Sequence, residues 1–486
     1  MESHKIVENI SLLFKMHFGV EPQSVTLLPL SGSDRKYYRI VGANKTVVGA
    51  YNPDVAENIA FLEFTKHFHK AGLPVPVVIC EDEQKLTYLL SDLGDTTLFA
   101  TLPHKREQVA FSDETISFYK KVLELLPEFQ IKAAKGLNYD VCYPRMYFDR
   151  SSMMWDLNYF KYYFLKLGGF VFDEQKLEDS FNDFVKLLSE ADSDYFLYRD
   201  FQSRNIMLVD GNPYFIDYQG GRKGALQYDV ASLLYDAKAN IPYSLRNELL
   251  EFYISNLHNY IKFDEQQFRK HYYAYVLVRV FQAMGAYGFR GFIEKKPVFL
   301  QSVPYAISNL EYLLDNDLIP SQLTYLKEVI AGIVNSPMRE KYEPKSQLEE
   351  NLTVRLYSFS YKKGLPVDLS GNGGGFVFDC RALPNPGREE QFRPYSGLDK
   401  VVIEFLKDKT EVSQFLENCE KIVDQTVQNY ISRKFTDLMI SFGCTGGQHR
   451  SVYCTEKLAK SLSDKYNVEV IIEHIEKQNW PLRVKN

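Results

Sequence analysis

At 486 residues the chain is too long for one ordinary hydrophobic core and suits two or three domains. Hydrophobic residues make up 45% and charged residues 25%, as in ordinary globular proteins, and a net charge of −6 gives no global sign of nucleic-acid binding. Glu2, Lys5, Glu8 and Lys15 interrupt the first apolar runs, and no stretch reaches the ~20 apolar residues of a membrane span. The expectation is a cytoplasmic protein with no membrane partner. Six cysteines (Cys80, Cys142, Cys380, Cys419, Cys444, Cys454) lie scattered without C-x-x-C pairs, which argues against a disulfide framework or a zinc cage.

In chain order, residues 1–110 read as mixed α and β. Thr46–Tyr51 and Thr87–Leu90 are short β-rich runs. Between them Phe61, Phe64, Phe68 and Ala71 recur at helical spacing, and Gly72 with Pro74 ends that helix. Residues 111–190 and 230–335 are mostly helical; Tyr272–Phe281 is apolar almost all round, as a buried helix is. A sheet-rich lobe (about 1–95) followed by a helical lobe (about 96–335) makes a bilobal unit. Residues 336–350, SPMREKYEPKSQLEE, read as a linker rich in charge with two prolines. Beyond it strand–helix alternation returns, and the balance of charge shifts from acidic to mildly basic.

Tyr195–Asp217, YFLYRDFQSRNIMLVDGNPYFID, carries the chemistry. Tyr195–Tyr198 and Ile206–Val209 are strand runs, Asp210–Pro213 a turn, and Tyr214–Ile216 the returning strand. The hairpin sets Asn205 beside Asp217 at its open end, and Asp200 lies on the entering loop. Phosphoryl transfer from ATP uses such a set: one carboxylate takes the acceptor hydroxyl's proton, while a carboxylate and an amide oxygen hold magnesium. The spacing alone also fits turn residues at a hairpin end.

Three segments, RDFQSRN (Arg199–Asn205), FIDYQ (Phe215–Gln219) and YDVASLLYD (Tyr228–Asp236), resemble the aminoglycoside-phosphotransferase family. Within it they are most similar to the AmgK-like anomeric kinases of N-acetylmuramate and N-acetylglucosamine. GSDRKYYRI (Gly32–Ile40), SDLGD (Ser91–Asp95) and VRVFQAMGAYGF (Val278–Phe289) extend the resemblance over roughly residues 10–330. It implies an α+β, protein-kinase-like bilobal phosphotransferase fold using ATP and Mg2+. It makes Asp200 the catalytic base and Asn205 and Asp217 the metal ligands. Ser31, Gly32 and Ser33 would form the turn over the phosphates, and Ser91, Asp92 and Leu93 the hinge beside adenine. Asp140, Asp149, Trp155 and Tyr159 are the candidates for the sugar substrate. Two departures stand out: Val48-Gly49-Ala50-Tyr51 occupies the strand that usually carries a phosphate-facing lysine, and Tyr198 stands where the family usually has His.

The C-terminal part reads as a separate α/β domain. Leu438–Gly443 is an apolar strand that runs into Cys444, Thr445, Gly446, Gly447, Gln448, His449 and Arg450, and then a helix. A glycine turn between a strand and a helix N-terminus presents several N–H donors to one anion, and an arginine fork can clamp it. Cys-x5-Arg followed by Ser451 is also the arrangement of cysteine phosphatases, and a tight turn over a buried cysteine explains it too. Together with FVFDCRALPNP (Phe376–Pro386) and RPYSGLD (Arg393–Asp399), GCTGGQHRSVY resembles the C-terminal domain of the RNase adapter RapZ, over nearly all of residues 351–476. That resemblance implies a glucosamine-6-phosphate sensor that self-associates, so a homo-oligomer through this domain, and binds RNA. The family's His after Asn-Pro is Gly387 here, and its basic tail is reduced to Lys477, Arg483 and Lys485, a weak handle for RNA. The combined expectation is an amino-sugar kinase (1–335) fused to a sugar-phosphate-sensing domain (351–486). The alternative is a regulatory RNA- or protein-binding adapter with the kinase unit as scaffold.

Overall fold

The computed structural model describes residues 2–29, 35–102, 111–343, 352–368, 370 and 374–481. The chain divides into two compact units, Met1–Phe289 with Ser302–Lys341, and Arg290–Gln301 with Tyr342–Asn486.

The first unit opens with helix α1 (Glu2–Phe18) and an antiparallel five-stranded sheet in the order β1-β2-β3-β5-β4. Its strands are β1 (Ser24–Leu27), β2 (Lys36–Gly42), β3 (Lys45–Tyr51), β4 (Val78–Glu81) and β5 (Thr87–Ser91), with helix α2 (Val55–Lys70) between β3 and β4. The expected strands and helix are all present. Ile6, Ile10 and Phe14 of α1 pack on Tyr38, Ile40, Val47 and Leu89 of the sheet. A side chain at Gly49 would meet Ile10 and Ile40 within 2.9 Å, so the β3 residue here must be bare for α1 to lie flat. Asp54 caps α2 by accepting the Glu57 N–H at 3.1 Å.

The helical part comprises α3 (Asp113–Pro127), α4 (Arg150–Phe160), α5 (Glu174–Leu188), α6 (Gln227–Leu234), α7 (Tyr243–Leu257), α8 (Glu265–Gly288), α9 (Val303–Asp315), α10 (Thr324–Val334) and the short α11 (Met338–Tyr342). The buried run of Tyr272–Phe281 lies in α8 as expected. Helices α4 and α8 touch backbone to backbone: a Cβ on Gly285 would sit 2.9 Å from the Phe160 nitrogen, and Phe160 stacks on Phe281 at 4.2 Å. Two short ribbons complete the unit, β6 (Tyr195–Leu197) with β9 (Arg222–Gly224), and β7 (Ile206–Val209) with β8 (Asn212–Phe215). The β7–β8 turn is tighter than its sequence suggests. Asn212 and Pro213 already pair with Val209 and Leu208, which leaves Asp210 (φ 49°) and Gly211 (φ 74°) as the turn. Two successive positive φ values give the twist that a two-residue hairpin needs.

In the second unit four parallel strands run in the order β11-β12-β10-β13: β10 (Thr353–Ser360), β11 (Phe376–Asp379), β12 (Asp437–Cys444) and β13 (Glu469–His474). Helices α12 (Lys400–Lys407), α13 (Thr410–Ser432) and α14 (Arg450–Lys465) accompany them. Every residue of β12 is buried, as a central parallel strand requires. Its core joins Val354, Leu356, Ile440 and Phe442 to Val423, Val427, Leu458 and Leu462 of α13 and α14. No helix among the described residues is long and apolar enough to cross a membrane.

Candidate functional site

The hairpin brings the three polar groups together. Asn205 Nδ2 donates to the Asp200 carbonyl at 2.9 Å and to Asp217 Oδ2 at 3.0 Å, and Gln219 Nε2 donates to Asp217 Oδ1 at 2.8 Å. Burial raises the Asp217 carboxyl above its ordinary range, and the neighbouring Asp200 charge adds to the rise. Two carboxylates held close in a half-buried setting attract a cation. A carboxylate beside an amide oxygen is a hard-oxygen donor set that suits magnesium. Asp217 (φ 70°) and Arg199 (φ 82°) both occupy the left-handed region, which is uncommon for non-glycine residues and is held here by the surrounding contacts.

Those contacts are identifiable. Arg199 makes a two-pronged ion pair with buried Asp156 of α4 at 2.7 and 2.8 Å, donates to Tyr228 Oη at 2.6 Å, and lies over the Phe148 and Tyr228 rings. Asp229, at the start of α6, accepts the backbone N–H groups of Tyr198 at 2.9 Å and Arg199 at 3.0 Å, and the Gln130 amide at 3.0 Å. Burial pushes the Asp229 carboxyl up to about 7, against the pull of these donors. Tyr198 is fully buried and donates to the Ile216 carbonyl at 2.6 Å, which ties the Asp200 loop to the Asp217 strand. Tyr218 bonds Thr65 of α2 at 2.7 Å and stacks on Phe61 at 5.4 Å. The two loops therefore sit in a braced frame, and the Asp200 carboxylate is engaged by no other side chain among the described residues.

The chain matches the phosphotransferase enzyme family over residues 24–267, about half its length. It belongs to this family. Residues 352–478 match the RapZ C-terminal domain, so the chain joins a phosphotransferase to that domain. A nucleotide-binding protein of Neisseria meningitidis serogroup C is 39% identical over 132 residues, 27% of this chain and 44% of that protein. One of Thermosipho melanesiensis is 33% identical over 186 residues, 38% of this chain and 58% of that protein. The chain thus spans about half the length of the curated relatives it matches. Among solved structures, choline kinase LicA of Streptococcus pneumoniae aligns at TM-score 0.41 and 14% identity, covering 69% of this chain and 100% of that one. A choline/ethanolamine kinase family protein of Mesorhizobium loti aligns at TM-score 0.44 and 11% identity, with the same coverage of 69% and 100%.

The other expected residues are placed less uniformly. Ser31, Gly32 and Ser33 lie outside the described residues. Ser91 ends β5, where its hydroxyl accepts the Val77 N–H at 2.9 Å. The Asp92 carboxylate is committed to Arg39 at 2.7 and 3.1 Å, so at the expected hinge Asp92 and Leu93 would offer backbone groups. Asp149 is the N-cap of α4, accepting the Ser152 N–H at 3.0 Å, and pairs with Arg145, whose guanidinium lies over the exposed Trp155 ring at 5.2 Å. Asp140 is exposed on a short turn, and Tyr159 packs against Tyr163 and Phe289.

In the second unit the Cys444–Arg450 loop joins β12 to α14. Cys444 Sγ accepts the Gly447 N–H at 3.2 Å and lies 3.2 Å from Ser451 Oγ. Burial works against a thiolate there, but hydrogen bonds from Ser451, Gly446 and Gly447 outweigh it, and the thiol is pulled below its ordinary value. The expected arginine clamp is partly committed: Arg450 Nη1 donates to the carbonyls of Arg381 at 2.8 Å and Leu383 at 3.0 Å, while buried Nε has no hydrogen-bond partner among the described residues. Gln448 donates to the Arg393 and Tyr395 carbonyls, and His449 meets the Phe392 carbonyl at 3.0 Å. Gly447 must be glycine, with φ +66° and Glu476 Cγ 2.6 Å from where a Cβ would stand. A cavity of about 230 Å³ is lined by Cys444, Thr445, Gly446, His449, Arg450 and Arg393 among others, and a second of about 380 Å³ by Arg381, Asn385, Arg388 and Arg450 among others.

Proposed function

We propose that the first unit is an ATP- and magnesium-dependent kinase acting on a hydroxyl of a small molecule, with an N-acetylated amino sugar as acceptor and a sugar 1-phosphate as product. The observation that carries the reaction class is the meeting of Asp200, Asn205 and Asp217 at the open end of one braced hairpin. The amino-sugar class rests on the resemblance of Arg199–Asp236 to the anomeric kinases.

Asp200 takes the proton of the acceptor hydroxyl as its oxygen bonds to the γ-phosphorus, and the bond to the bridging oxygen breaks to leave ADP. Asp217 and Asn205 are the residues that would hold magnesium, which when bound neutralises charge on the phosphates. Asp156 and Asp229 act through Arg199 and the loop backbone, holding Asp200 in position. Asp229→Asn would leave one of the backbone donors facing an amide NH2.

The Cys444–Arg450 loop is read as a site for a phosphorylated sugar, with the N–H groups around Gly446 and Gly447 and the free side of Arg450 as donors. The direct test of the kinase reading is ATP consumption by the full chain across a panel of sugars. N-acetylmuramate and N-acetylglucosamine should be phosphorylated at C1. Activity on choline, a nucleoside or an aminoglycoside in their place would overturn the acceptor and keep the reaction class.

A further inference from the structure

Strand β3 carries one lysine, Lys45, at its exposed first position, so that strand offers no cation to a nucleotide's phosphates. A different cation lies close by. Arg35 immediately precedes β2 and is 2% exposed. Its Nη2 lies 3.4 Å from Glu57 Oε2 in the first turn of α2, and its guanidinium stands 5.5 Å from the centre of the Phe61 ring. Among the described residues neither Nε nor Nη2 makes a hydrogen bond, and the Tyr37 phenol interacts with the same guanidinium.

Glu57 does not complete the pairing, because it serves others. Its Oε2 accepts Asn52 Nδ2 at 2.6 Å and its Oε1 accepts Gln219 Nε2 at 3.3 Å. That same Gln219 amide reaches Asp217 Oδ1 at 2.8 Å. A continuous series of contacts, Arg35–Glu57–Gln219–Asp217, therefore runs from the entry of β2 through α2 to the carboxylate of the hairpin. Buried donors of a charged group that lack acceptors are costly, and a ligand that brings several anionic oxygens would satisfy them. A planar guanidinium whose Nε and Nη2 lie on one edge, held only by a long ion pair to Glu57, matches phosphate oxygens in particular. The other arginine of β2, Arg39, is committed, held between Asp92 and Asp95.

We propose that Arg35, positioned by Glu57, grips the phosphate oxygens of the bound nucleotide, supplying from the entry of β2 the charge that a β3 lysine supplies in other kinases. This rests on the kinase reading above. The pairing with α2 reproduces the logic of a strand cation fixed by a helix glutamate, with the cation moved to the neighbouring strand and changed to a group that keeps its charge when buried.

The test compares binding of ADP with binding of adenosine, each with magnesium, to the full chain by calorimetry. Wild type should bind ADP more tightly than adenosine. Arg35→Ala should weaken ADP by roughly ten- to a hundredfold, the size of a charged hydrogen bond, and leave adenosine within about twofold. Arg35→Gln, which keeps length and polarity, should show the same selective loss and decides the matter if the alanine variant does not fold. Glu57→Gln leaves the arginine in place and should weaken ADP by a smaller factor, again sparing adenosine, as a positioning residue does. Unchanged ADP affinity in the Arg35 variants, or equal losses of ADP and adenosine, would overturn the proposal and leave the kinase reading intact. Wild type that binds neither compound would overturn both.

Discussion

The Asp200–Asp217 segment and the Cys444–Arg450 loop each follow a strand with buried residues, β6 and β12, and in the proposed reading they meet phosphate chemistry from opposite sides. The first gathers carboxylates: Asp200 and Asp217, with Glu57 linked through Gln219. In the proposed reading such a site takes phosphate only with the help of cations, Arg35 and an added metal ion. The second gathers N–H donors, a downward-shifted thiol and an arginine, with the buried Glu476 side chain packed against Gly447 and Glu411 on the wall of the larger cavity. It can accept an anion unaided. Turnover demands the first arrangement, because a base and a metal must be kept beside the phosphate. Sensing demands only the second.

The sharpest way to break this contrast is to remove Asp217, the carboxylate proposed to hold the metal. Asp217→Ala should abolish magnesium-dependent nucleotide binding and reduce turnover by roughly 10³-fold or more, measured by calorimetry with and without magnesium. Phosphosugar binding at the C-terminal loop should not change. Conversely, Arg450→Ala should weaken binding of glucosamine-6-phosphate by roughly ten- to a hundredfold while leaving kinase turnover alone. Cys444→Ser should weaken it less, since a bound phosphate needs donors and no thiolate. Steady phosphate release that vanishes in Cys444→Ser would instead make the loop a phosphatase.

A smaller effect sharpens the account of the frame. Asp229→Asn should destabilise the first unit by ~1–3 kcal/mol through mismatched buried donors, read from denaturant unfolding. The pH dependence has a definite sign. The native Asp229 carboxyl sits at about 7 against an ordinary 3.8, so the folded chain keeps a proton that the unfolded chain has lost. Wild-type stability relative to the variant should therefore fall as pH rises between about 4 and about 7, and level off above.

What could be read from sequence was local. Asn205 and Asp217 flank one hairpin whose Asp-Gly turn fixes their meeting, Asp200 lies on the loop that enters it, and the glycine pair after β12 announces its own loop. The bracing residues were not legible. Asp156 meets Arg199 across 43 positions, and Asp229 reaches the Tyr198 nitrogen across 31, distances at which only tertiary packing decides partners. The same packing redirected residues that chemistry alone recommended. Asp149 became a helix cap, Asp92 went to Arg39, and one arm of Arg450 went to backbone carbonyls. An aspartate's ability to cap or pair is as strong as its ability to bind a sugar, and the sequence does not say which demand comes first.

The central claim is that Asp200 is the base of a phosphotransfer reaction, and single-turnover phosphorylation by Asp200→Asn tests it most directly. With the panel's best acceptor, the variant should bind ATP and magnesium as wild type does, and its rate of phosphoryl transfer should fall by ~10²–10⁴-fold. A variant that transfers phosphate at the wild-type rate would contradict the account.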